Sequence, residues 1–85
     1  MTIEYMPRWK EELVGVLDGN QFLVELTMGR LHAYFPTEST WESSAPGWAK
    51  GKYLLARTAA EEWARNNGSD FTVDDGAWID WTRKG

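Results

Sequence analysis

Few side chains in this 85-residue sequence are of the types that do chemistry, and their spacing decides what they are fit for. One histidine, His32, stands in the run Arg30-Leu31-His32-Ala33-Tyr34-Phe35, and the hydroxyls of Ser39, Ser43 and Ser44 follow it. A nucleophile and its base must meet within hydrogen-bond reach, and nothing in this spacing returns a serine to His32. The segment Gly47-Trp48-Ala49-Lys50-Gly51-Lys52-Tyr53 has the glycines and lysines of a phosphate-binding loop. Three residues rather than four separate its glycines, and Tyr53 stands where a Mg²⁺-binding Ser or Thr is needed. It reads as the start of a helix. Asp70, Asp74, Asp75 and Asp80 suggest calcium, but the alternate positions before Gly76 are Phe71, Val73 and Asp75, and position 82 is Thr. That pattern is an Asp-rich turn rather than a calcium loop. The sequence contains no cysteine, so thiolate metal sites, disulfides and Cys nucleophiles do not arise. The expectation is a protein without catalytic residues, metal or cofactor.

The elements that would position these groups begin with a three-stranded meander from Leu13 to Phe35. With Met28-Gly29 as a two-residue loop, Thr27 pairs with Arg30 and Leu26 with Leu31, while Val24 meets Ala33 and Phe22 meets Phe35. Side chains alternate across a strand, so Phe22, Val24, Leu26, Leu31, Ala33 and Phe35 share one apolar face. For the first hairpin two loops fit. Gly19-Asn20 pairs Leu17 with Phe22, and Asp18-Gly19 pairs Leu17 with Asn20. Both put Leu13, Gly15 and Leu17 on the core face, because a two-residue slip preserves facing.

Beyond the meander, Ser39-Thr40-Trp41-Glu42 has capping-box spacing for one helical turn with Trp41 inward. Pro46 suits the first turn of a longer helix at 46–66, which Asn66-Asn67-Gly68 ends. On that helix Trp48, Tyr53, Leu55, Ala56, Ala59, Ala60 and Trp63 form the buried arc, with Lys52 inside it as a conflict. Phe71–Val73 reads as a strand, residues 77–81 as its hairpin partner or a helical turn, and Ile3–Met6 as a further edge strand. The expected fold class is α+β, with order β-β-β-α-β and one helix on the sheet, as a single domain over 1–85. The run Gly29–Phe35 followed by Trp41 is similar to part of a WW module. It spans under a third of the chain, Trp9 and Pro46 are misplaced for that family's early Trp and closing Pro, and the helix has no counterpart there, so the chain is not assigned to it.

Hydrophobic residues make up 42% and charged residues 26% of the chain, which is globular rather than disordered composition. The net charge of −4 and the absence of a clustered basic stripe argue against a nucleic-acid partner. No apolar run reaches membrane-spanning length, and the N-terminus lacks the pattern of a signal peptide. With no cysteine, these features lead to the expectation of a cytoplasmic protein.

Six tryptophans are the most unusual feature. Trp41, Trp48 and Trp63 have expected core positions, whereas Trp9, Trp78 and Trp81 have none. The outer sheet face is the second anomaly. His32 falls opposite Glu25 as a cross-strand ion pair, but Val14, Val16, Leu23 and Tyr34 form an apolar patch where a wet face would be polar. Such a patch wants cover, from Tyr5–Trp9, from Trp78–Trp81, or from a protein partner or second copy. The expected function is therefore a small non-enzymatic interaction protein, an adaptor or inhibitor. Its candidate contact residues are Val14, Val16, Leu23, Glu25, His32, Tyr34, Trp78 and Trp81. The alternative is a small-molecule or carbohydrate binder that stacks its ligand on exposed Trp rings.

Overall fold

The computed structural model of the chain describes residues 3–8 and 11–81. Asp18 and Gly19 both take positive φ, 51° and 82°, the mirror-image turn that matches strand twist. Strand β2 (Glu12–Leu17) therefore pairs with β3 (Asn20–Thr27) with Leu17 opposite Asn20, which settles the open register. Strand β1 (Ile3–Arg8) adds to β2 as an antiparallel edge strand, Tyr5 opposite Gly15.

The second hairpin corrects the expected pairing. Strand β4 (His32–Phe35) sets Thr27 opposite His32 and Leu26 opposite Ala33, two residues from the register that a Met28-Gly29 loop would impose. The connection is the four-residue segment 28–31. Its length lets Met28 and Leu31 pack against the core, while the Thr27 hydroxyl donates to the Arg30 carbonyl at 3.0 Å. Facing survives the slip: Phe22, Val24, Leu26, Ala33 and Phe35 are all buried.

Pro36 has no N–H to extend the ladder, and the chain leaves the sheet for α1 (Glu38–Ser44) and then α2 (Tyr53–Asn66). It returns as β5 (Asp70–Val73), parallel to β4, with His32 opposite Asp70 and Phe35 opposite Val73. Parallel neighbours need a crossover, and the two helices supply it. Residues 77–81 are neither a hairpin on β5 nor a helical turn. Strand β6 (Ile79–Asp80) pairs with β3, Ile79 opposite Val24, on the edge that β4 abandons at Phe35. The class is mixed α+β: the described residues form six strands and two helices, and four antiparallel strands precede the helices. The order β-β-β-α-β is thereby corrected.

The helices also differ from expectation. The N-cap of α1 is Thr37, whose hydroxyl accepts from the Thr40 N–H, so Ser39 is not the cap. Glu42 reaches forward instead, and both its carboxylate oxygens accept from the Gly51 N–H at 3.1 and 2.9 Å. Gly51 has φ +77°, a left-handed conformation that no helix interior accommodates. Residues 46–51 are accordingly a run of turns and α2 starts at Tyr53. Its phase follows: Tyr53, Ala56, Ala60 and Ala64 are buried, while Leu55 is 40% and Leu54 74% exposed. Lys52 precedes the helix, which removes the conflict it posed. At the other end Gly68 is left-handed, and the Ser69 N–H closes back on the Ala64 carbonyl at 2.8 Å.

Both helices pack on one sheet face, where the core is strongly aromatic. Phe22 meets Tyr5, Trp41 and Trp81, with ring centroids 5.9, 5.3 and 5.5 Å apart. Trp41 is fully buried, and its indole N–H donates to the Ala49 carbonyl at 2.9 Å. Gly15 lies beneath the Phe22 ring, where a Cβ would stand 2.7 Å from Cε1 and 2.8 Å from Cε2. Among the described residues no helix is long and apolar enough to cross a membrane.

Candidate functional site

Among the described residues the opposite face of the sheet carries no helix, and alternation decides what it presents. On β1 and β2 it presents Glu4, Met6, Arg8, Glu12, Val14 and Val16, and on β3 and β4 Gln21, Leu23, Glu25, Thr27, His32 and Tyr34. Register aligns Arg8, Glu12, Glu25, Tyr34 and Thr72 as one row across five strands. Two like charges, Glu12 and Glu25, thus stand directly opposite each other, an arrangement that destabilises a sheet. Arg8 lies 3.7 Å from Glu12, and Arg30 lies 3.4 Å from Asp70 at the β5 edge.

The structure separates the expected contact residues into three groups. Val14 and Leu23 are a direct cross-strand pair and are buried, so they pack rather than offer a surface. Val16 and Tyr34 are half-buried and Glu25 is exposed on the outer face. Trp81 is on the other side altogether, its ring 4.8 Å from Trp41 and 5.5 Å from Trp48, its indole N–H donating to the Ser44 hydroxyl at 2.9 Å. Strand β6 explains this: Ile79 pairs with the inward Val24 and Asp80 with the outward Leu23, so Trp81 points inward and Trp78 outward. Trp78 is 43% exposed and Met6, which the sequence reading did not single out, is 57% exposed. Trp9 lies outside the described residues.

His32 does not face Glu25. The two-residue slip puts Tyr34 there, and His32 sits opposite Thr27. It stacks on Tyr34 with centroids 4.2 Å apart and planes 7° from parallel. Its Nε2 is 2.7 Å from the Thr72 hydroxyl. Sequence separation of 40 residues hid this contact, because only the parallel return of β5 creates it.

Trp78 lines a shallow, open recess of about 420 Å³ with Glu11, Glu12 and Glu25. Glu11 has φ +63° just before β2, and its carbonyl accepts from the Leu26 N–H at 3.1 Å. Among the described residues no three His, Asp or Glu side chains converge as a metal-binding group. Two phenols on the core side have raised pKa values. Burial pushes the Tyr5 phenol far above its ordinary range, and its hydroxyl donates to the Ala56 carbonyl at 2.8 Å. Burial also raises Tyr53, against a smaller lowering pull from Arg57, and its hydroxyl donates to the Pro36 carbonyl at 2.7 Å. Tyr5 thus fastens β1 to α2, and Tyr53 fastens α2 to the connection between β4 and α1. Comparison with protein-family models, with curated proteins and with solved structures finds no match for this chain.

Proposed function

We propose that the protein is a small interaction module, an adaptor or inhibitor without catalytic activity, that docks a protein partner on the outer face of its sheet. The observation that carries this reading is the outer-face placement of Met6, Tyr34, His32 and Trp78, opposite the face both helices cover. A face crossed by one wet sheet is ordinarily polar. Here aromatic and thioether side chains interleave with carboxylates, the mixture that recurs at the centre and rim of protein interfaces.

The stacked His32–Tyr34 pair also supports it, since two rings already held together lose little conformational freedom on binding. The carbohydrate alternative rests on the same exposed rings. Among the described residues Trp78 is the one aromatic ring lining its recess, and the other outer-face rings, His32 and Tyr34, stack on each other instead of extending a flat platform beside it, so the protein-docking reading is favoured.

The test compares what the wild type and three variants capture from lysate of the native host, with identification by mass spectrometry. Met6→Ser and Tyr34→Ser alter the outer face, and Leu54→Ser alters the exposed side of α2. A partner retained by Leu54→Ser and lost from both outer-face variants supports the assignment. A partner lost only from Leu54→Ser moves the interface to the helix and contradicts it.

A further inference from the structure

We infer that the docking element of the partner is cationic, with a Lys or Arg side chain seated against Trp78 in the recess formed with Glu11, Glu12 and Glu25. This rests on the reading of the outer face as a docking surface and adds the chemistry of what docks there. Charge complementarity selects the occupant. Among the described residues the outer-face guanidiniums, Arg8 and Arg30, lie beside Glu12 and Asp70, and Glu11 and Glu25, which flank Trp78, are in none of the ion pairs.

Three further features agree. The β2–β3 register brings the Glu25 carboxylate to the recess directly across from Glu12, and hydrogen bonds from a cationic donor to a carboxylate are the stronger kind. Trp78 offers a half-exposed indole to that same space, and an indole is the ring that best attracts a cation. The carboxylates do not close into a metal-ligand set, whereas a recess of about 420 Å³ is roomy for a guanidinium or ammonium on its alkyl stem. Nucleic acid, whose phosphates the same carboxylates repel, does not fit.

The probe is an acetylated, amidated hexa-arginine peptide, compared with the hexa-citrulline peptide of the same shape and no charge. Binding is measured by titration calorimetry at low and at physiological ionic strength. The wild type binds the arginine peptide and not the citrulline one, and affinity falls as salt rises. Trp78→Ala weakens binding by about three- to thirty-fold, the range of one cation–π contact. Glu25→Gln weakens it several-fold, and Glu62→Gln on the exposed side of α2 leaves it unchanged. Thermal melts of each variant establish that the fold is retained. The inference is overturned by an absence of binding at low salt, by equal binding of citrulline, or by losses in Glu62→Gln as large as in Glu25→Gln. The docking reading is judged separately: a partner lost from Met6→Ser but kept by Glu25→Gln and Trp78→Ala preserves that reading while refuting the cationic one.

Discussion

Gly15 and Phe22 occupy one cross-strand pair, and the ring lies where any other side chain at position 15 would begin. Gly15→Ala should lower stability by about 1–3 kcal/mol through forced displacement of that ring. Gly29→Ala, at a position with nothing within 4 Å of the new Cβ, should leave the denaturation midpoint almost unchanged. Equal midpoints for the two variants would contradict the packing. Tyr5 makes a second, pH-dependent statement. Its phenol is neutral and buried in the folded state but titrates near 10 when unfolded. The unfolded chain thus loses its proton first, so stability is complete below pH 10 and declines above it, by up to about 1.4 kcal/mol per pH unit. Tyr5→Phe should flatten that decline in chemical denaturation at alkaline pH, and an unchanged slope would contradict the assignment.

Individual elements show what pattern conveys and what it cannot. The inward set Phe22, Val24, Leu26, Ala33 and Phe35 was legible because facing has a period of two, and it survived a register that was not. Register depended on loop length, and in the four-residue loop both Met28 and Leu31 pack against the core, tertiary contacts that the local turn signal at Met28-Gly29 does not convey. The helix start failed on similar grounds. Helical periodicity ran back to Pro46, but Gly51 is left-handed and its N–H belongs to Glu42. Glu42→Ala should therefore loosen residues 46–51 and lower stability by about 1.5–3 kcal/mol, the range for hydrogen bonds to a charged group. Amide exchange should accelerate at Gly51 while the middle of α2 keeps its protection. Faster exchange through the whole of α2 instead would mean that loop and helix open as one unit.

At the scale of the molecule, the parallel return of β5 and the placement of β6 on β3 are long-range pairings that no local pattern encodes. They decide the candidate site. β6 sends Trp78 outward and Trp81 inward, and β5 brings Thr72 to His32, so the sequence identified the outer face but not which of its residues are accessible. Val14 and Leu23, central in the pattern, proved to be packing. Charge at this scale predicts weak interaction with nucleic acid: a gel shift at physiological salt should show no micromolar complex, and a tight complex with a steep salt slope would contradict the electrostatics. The claim that the outer sheet face is the docking surface is tested most directly by amide hydrogen exchange of the ¹⁵N-labelled protein, alone and bound to a partner identified by capture. The account predicts new protection centred on Glu25, Tyr34 and Trp78, with exchange at Leu54 and Leu55 unchanged. Protection confined to α2, with the outer strands unaffected, would contradict it.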